Sequence, residues 1–150
     1  MNKIEPLTSK PTQEMMALLL DADPNLPAVQ RYLVDSHILI CKESEKCIAI
    51  AVLEIVNKGS ELKNISVAQP YRGKGIAKLL IKDIKILAKQ LGAKYIEVGT
   101  GNSSLQQLNL YQKCGFRMHD IYKNYFESYP EPIFENGIRC IDMVRLRVDL

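Results

Sequence analysis

Arg72, Gly73, Lys74, Gly75 and Ala77 fall within one short stretch, Gln69 to Leu80, which reads Q-P-Y-R-G-K-G-I-A-K-L-L. Glycine is poor in a helix and poor in a strand, so two glycines beside two cations mark a place that needs bare backbone. The natural client of bare N–H groups at a helix start is an anion, often a phosphate. A P-loop would need G-x-x-x-x-G-K-[ST], which is absent. A dinucleotide fingerprint would need a third glycine where Lys78 stands. Other chemistry finds few residues. His37 and His119 are the only histidines, and Cys41, Cys47, Cys114 and Cys140 form no C-x-x-C pair. Neither set has zinc spacing, so no metal is expected, and the thiols read as reduced packing residues.

The elements around this turn must position it. L-K-N-I-S-V, Leu62 to Val67, is a strand running into the turn. Gly75 to Leu91 is a long helix, with Ile76, Leu80, Ile84, Leu87 and Leu91 on one buried face and Lys78, Lys82, Lys85 and Lys89 on a solvated one. A nucleic-acid surface would interleave aromatics with such a lysine row, and this helix has none. Upstream, Lys3 to Leu7 is a short strand. Pro11 opens a helix through Thr12 to Leu20, and Leu26 to Val34 is a second helix. His37 to Cys41 and Cys47 to Val56 are strands, and Asn57 to Ser60 is a hairpin turn. Downstream come a strand at Tyr95 to Val98, a helix at Ser103 to Cys114 and a strand at Phe116 to Ile121. The tail, Ile138 to Val148, reads as a strand pair or one long strand. This mixture predicts an α/β (α+β) layered fold in a single domain over residues 1–150.

Arg72, Gly75 and Ala77 also spell R-x-x-G-x-A. With the strand before it and the helix after it, this resembles the [Q/R]-x-x-G-x-[G/A] signature of the GCN5-related N-acetyltransferases. About forty residues on, L-Y-Q-K-C-G-F (Leu110 to Phe116) resembles the L-Y-x-x-x-G-F element of the same family. The resemblance implies the GNAT fold: a mixed, mostly antiparallel sheet with splayed strands 4 and 5, flanked by about four helices. It implies an enzyme, an acetyl-CoA-dependent N-acetyltransferase that moves the acetyl group directly to a primary amine. The alternative on the same fold is a non-catalytic acyl-CoA-binding module.

Carried over residue by residue, the resemblance gives the acetyl-CoA pyrophosphate to the backbone of Arg72, Gly73, Lys74, Gly75, Ile76 and Ala77, with charge-assisted contacts from the Arg72 and Lys74 side chains. The pantetheine would pair with Ile65 to Val67, the Val67 N–H reaching the thioester carbonyl. Tyr111, on the motif tyrosine and near a helix start, would protonate the departing thiolate. The family's cofactor-touching asparagine falls at Ser104, with Asn102 two residues earlier, and spacing leaves the two open. Glu61 is the first candidate for general base and Glu54 the second. By period-two alternation Glu61 would share a face with Lys63 and Ile65.

The resemblance implies an acceptor amine on a small molecule or peptide. Asp21-Ala-Asp-Pro-Asn and the late segment Tyr122 to Asn136 offer it walls. The latter interleaves Tyr122, Tyr125, Phe126 and Tyr129 with Glu127, Glu131 and Glu135, which suits a cation as well as it suits a connecting loop. Net charge is a mild +3, with 47% hydrophobic and 25% charged residues, which points away from nucleic acid. No window reaches the roughly 20 apolar residues of a membrane span. The run Met15 to Leu20 is cut off by Asp21 and Asp23 and is short for a signal sequence. A cytoplasmic monomer or homodimer is expected.

Overall fold

The computed structural model describes residues 2–150. The order is β1 (Asn2–Pro6), α1 (Gln13–Ala22), α2 (Leu26–Leu33), β2 (His37–Glu43), β3 (Lys46–Val56) and β4 (Gly59–Val67). A 3-10 turn (Gln69–Tyr71), α3 (Ile76–Gln90), β5 (Tyr95–Gly101), α4 (Leu105–Lys113) and β6 (Arg117–Tyr122) follow. The chain ends in β7 (Ile133–Glu135), β8 (Ile138–Cys140) and β9 (Met143–Asp149). Seven strands form one sheet in the order β1-β2-β3-β4-β5-β9-β6, and β7 and β8 form a separate hairpin. Within the large sheet β4 and β5 are parallel and the other neighbours are antiparallel.

β3 explains the layering. Its apolar run has no polar face, so it must be covered twice. Ala49, Ala51 and Leu53 face the core built on α3, while Ile50 and Val52 face Met15, Leu19, Val29 and Tyr32 of α1 and α2. α3 buries Ile76, Leu80, Ile81 and Ile84 at 2% exposure or less. Each such side chain contributes about 1.5–3 kcal/mol before chain entropy is counted. The buried stripe differs slightly from the expected one: Ile81 and Ala88 complete it, Leu87 is half-buried and Leu91 is exposed. α1 is capped by Thr12, whose Oγ1 accepts from the Met15 N–H at 3.2 Å, so Pro11 precedes the helix rather than opening it.

A bulge in β4 reorders its faces. Ala51 pairs with Ile65 and Val52 with Asn64, but Leu53 pairs with Leu62 and Glu54 with Glu61. Ala51 and Leu53 share a face, so Leu62 and Ile65 do too, and Glu61 lies on the opposite face from Ile65. The expected common face of Glu61 and Ile65 is thereby corrected.

β4 and β5 pair only at Ser60–Ile96 and Glu61–Glu97. That end is clamped by Arg145 of β9, which is 7% exposed. Its Nη1 donates to Glu61 Oε2 at 3.0 Å and its Nη2 to Glu97 Oε1 at 3.1 Å. Beyond the clamp the two strands part. Of the two readings of the tail, two strands form rather than one: β8 and β9 are separated at Ile141 and Asp142, whose N–H groups both donate to Asn102 Oδ1, at 2.8 and 3.0 Å.

Candidate active site

The parting of β4 and β5 opens a cleft of about 1010 Å³. One wall is the β4 edge from Leu62 to Val67. Strand geometry fixes where its backbone points. The Ala68 N–H donates to Ile48 of β3 at 2.8 Å, so the N–H and C=O of Val67, one residue earlier, point away from β3 and into the parting. Ile65, two residues before, points the same way. The mouth is formed by the glycine turn. Gly73 and Gly75 have φ of +76° and +82°, and a Cβ at either would meet nothing within 4 Å. Glycine is therefore required for conformation, not for want of space, and the backbone stands open to an incoming group.

Gly75 is the left-handed N-cap of α3 and supplies no side-chain cap. The Leu79 N–H is the first to find an intrahelical carbonyl, that of Gly75 at 3.2 Å. The earlier amides of Ile76, Ala77 and Lys78 stand at the positive end of the helix dipole, beside the cleft. Lys74 lies at the mouth with its Nζ 5.5 Å from the centre of the Tyr71 ring. Arg72 is engaged within the protein. Its Nε donates to the Val67 carbonyl at 2.9 Å and its Nη2 to Asp21 Oδ2 at 2.6 Å.

Tyr111 lies on the floor at 4% exposure, its ring tilted against Phe116 at 5.8 Å. It is the seventh of nine residues in α4, so the expected position near a helix start is corrected to the last two turns. Burial pushes its hydroxyl well above the ordinary tyrosine value, with the nearby Cys114 adding to the shift, and no hydrogen bond offsets it. The group is protonated throughout the neutral range.

The remaining candidates separate cleanly. Ser104 is buried, lines the cleft and donates its Oγ to Glu135 Oε1 at 2.9 Å. Asn102 does not line the cleft; its amide holds Ile141 and Asp142 and donates to the Arg139 carbonyl at 3.1 Å. Glu61 does not line it either, since its carboxylate is engaged by Arg145 and by Lys63 at 3.5 Å. Glu54, its cross-strand neighbour, is likewise outside.

The far wall is the end of α1, Asp21 to Asp23, and it is held by two residues that the sequence did not single out, Asn64 of the β4 wall and Tyr32 behind it. Asn64, a polar residue on a buried stretch, donates its Nδ2 to the Leu19 carbonyl and to the Tyr32 hydroxyl, both at 2.9 Å. The Tyr32 hydroxyl donates to Asp23 Oδ2 at 3.2 Å. Burial, chiefly, pushes Tyr32 up to about 12, so it stays a donor and fixes Asp23 as an acceptor. Asp21, Asp23 and Glu135 thus bring three carboxylates to the cleft. Of the late acidic residues Glu135 alone lines it, Glu127 and Glu131 standing elsewhere.

Comparison with known proteins agrees with this architecture. Residues 8–116 match the family model described as "Acetyltransferase (GNAT) family". The chain is 43% identical over 146 residues to the "Uncharacterized N-acetyltransferase YvbK" of Bacillus subtilis (strain 168), covering 96% of this chain and 94% of that one. A Bacillus subtilis acetyltransferase solved in complex with CoA superposes with a TM-score of 0.95 at 42% identity, over 100% of this chain and 99% of that one. A GNAT family acetyltransferase from Elizabethkingia anophelis, solved with acetyl-CoA bound, gives a TM-score of 0.92 at 41% identity, over 99% and 98% of the two chains. The open glycine turn, the parted β4 edge and the matched sequence together show that this chain belongs to the acetyltransferase (GNAT) family.

Proposed function

We propose that residues 1–150 act as one domain that transfers the acetyl group of acetyl-CoA directly to a primary amine. The observation that carries this reading is a coincidence of three features in one cleft: the bare glycine turn, the outward-facing Val67 backbone and the buried Tyr111 hydroxyl. The residues fit the donor. The amides of Gly73 to Ala77 suit a pyrophosphate, and the free β4 edge suits an extended amide-bearing arm. Lys74, within the turn, adds positive charge. Relatives of more than 40% identity hold acetyl-CoA or CoA, which supports the same occupant here.

The acetyl thioester supplies an electrophilic carbon. The amine's lone pair forms a C–N bond to that carbon and the C–S bond breaks. The Val67 N–H is placed to donate to the carbonyl oxygen as negative charge gathers there. Tyr111 gives its proton to the departing thiolate, the phenol being protonated at neutral pH. Ser104, at the head of α4, is placed to touch the donor arm. Asp23 and Glu135, the two cleft carboxylates that no cation holds, favour a cationic amine over a neutral or anionic one. Four free thiols support a reducing, cytoplasmic setting.

The test is release of free CoA thiol from acetyl-CoA in the presence of aminoglycosides, polyamines, amino acids and peptides. Amine-dependent release with an acetylated product is expected. Tight acetyl-CoA binding with no transfer to any amine would identify a binding module instead.

A further inference from the structure

We infer that Glu135, on the β7–β8 hairpin, is the base that receives the acceptor's proton; this rests on the acetyltransferase reading. The hairpin is built to deliver this residue. Asn136 and Gly137, with φ of +56° and +74°, form the two-residue turn between β7 and β8, and Glu135 pairs with Ile138 across it. The turn is docked on α4: Asn136 Nδ2 donates to the Ser103 carbonyl at 2.8 Å and lies 3.3 Å from Gln106 Oε1. Ser103 and Ser104 then both donate to a single carboxylate oxygen, Glu135 Oε1, at 3.0 and 2.9 Å.

That arrangement orients Oε2 without engaging it. Serine at a helix start would ordinarily cap the helix, yet Ser104 makes no cap bond and turns its hydroxyl to Glu135. Ser103 is 0% exposed and Ser104 8%, so the two anchors are rigid. Glu135 and Tyr111 line the same cleft. Ser104 and Tyr111 are separated by seven residues of α4, about 10 Å of rise, and helical side chains lean back toward the N-terminus, shortening that gap. An acid at one end of the cleft floor and a base at the other leave room for the reacting carbon between them. In the step itself, the ammonium passes one proton to Glu135 and the neutral amine attacks the thioester carbon; as the C–S bond breaks, Tyr111 protonates the thiolate, and the second proton lost by the amine nitrogen passes through water to restore the phenol. The glutamic acid then returns its proton to water.

The experiment compares wild type, Glu135→Gln and Glu131→Gln in kcat/KM from pH 6.5 to 9.5, using the most reactive amine of the panel. Glutamine keeps an oxygen for Ser103 and Ser104 but is not a base. Glu135→Gln is expected to lose about 100-fold at pH 7, and the deficit should shrink about tenfold per pH unit as the amine loses its proton unaided. Glu131→Gln, outside the cleft, should match wild type. Ser103→Ala, which removes one anchor and leaves the carboxylate, should lower kcat severalfold at unchanged acetyl-CoA affinity. A deficit equal at every pH, or none, in variants that still bind acetyl-CoA by calorimetry would overturn the role of Glu135 alone. No amine transfer by wild type would overturn the acetyltransferase reading, and this inference with it.

Discussion

Arg72 bridges the glycine turn and the end of α1: its guanidinium holds the Val67 carbonyl with Nε and the Asp21 carboxylate with Nη2, 2.9 and 2.6 Å away. Both side chains of the ion pair are about half exposed, so the pair contributes little to stability. Its effect is on charge at the cleft mouth, where Asp21 offsets Arg72 beside an anion site. The two partners should therefore act with opposite sign on the donor. Arg72→Gln is expected to raise KM for acetyl-CoA severalfold, while Asp21→Asn lowers it or leaves it level. Steady-state kinetics at low salt checks this, and a rise in both variants would mean that the pair orders the turn rather than tuning its charge.

Gly75 is a second point of control over the donor. Its φ of +82° costs a substituted residue about 1–2 kcal/mol, and an aspartate adds a like charge beside the pyrophosphate site. Space is open there, so the variant should fold. Gly75→Asp is expected to abolish measurable acetyl-CoA binding in calorimetry, whereas Gly75→Asn, which tolerates the same conformation without charge, should retain part of it. Equal affinity in wild type and the aspartate variant would remove the turn from the donor site.

Tyr111→Phe keeps the ring contact with Phe116 and removes only the hydroxyl. A lost general acid is worth about 10²-fold in kcat, with acetyl-CoA affinity nearly unchanged. Because burial holds the phenol protonated above its ordinary value, the wild-type rate should not fall from Tyr111 ionisation until the pH passes 10. A kcat within twofold of wild type, with chemistry rate-limiting, would make Tyr111 a core residue.

Glu61 tests how far the sequence could be read. Alternation placed it beside Ile65, but one extra residue in β4 turns it to the other face, where Arg145 joins it to Glu97. A bulge is set by pairing across the sheet and leaves no local signature, so alternation alone could not reveal it. Asn102 is similar, since its partners lie 37 to 40 positions away. The place of Tyr111 was more legible: Gly115, at φ of +93°, follows the end of α4 and puts position 111 near its close. Asn136-Gly137 was a legible hairpin signal too, masked by flanking strands of only three residues. The glycine turn and the strong period of α3 were readable because local chemistry dictates both. The structure assigns Glu61 to the clamp, so Glu61→Gln should lower stability by about 1–2 kcal/mol, below the cost of breaking a fully buried pair because Glu97 still holds Arg145. Its kcat per folded molecule should stay near wild type. A loss of kcat at unchanged melting temperature would return Glu61 to the chemistry.

Asp23 is the carboxylate that the far wall holds most deliberately. The relay from Asn64 through Tyr32 ends on its Oδ2, and the Asn25 N–H donates to its Oδ1 at 3.2 Å. Both oxygens are thus oriented while the residue remains half-buried at the cleft. A positive amine approaching this wall meets a fixed negative charge with little to reorganise. Salt screens such an attraction over about 10 Å at 0.1 M, so KM for a cationic acceptor should climb with ionic strength. Asp23→Asn preserves the shape and one acceptor oxygen. It is expected to raise that KM about threefold to tenfold at low salt and to flatten its salt dependence, with acetyl-CoA affinity intact. A best acceptor that is anionic would reverse the assignment, because Lys63 of the β4 wall would then be the residue that greets it. A cationic acceptor whose KM ignores both salt and Asp23→Asn would place its charge outside this wall altogether.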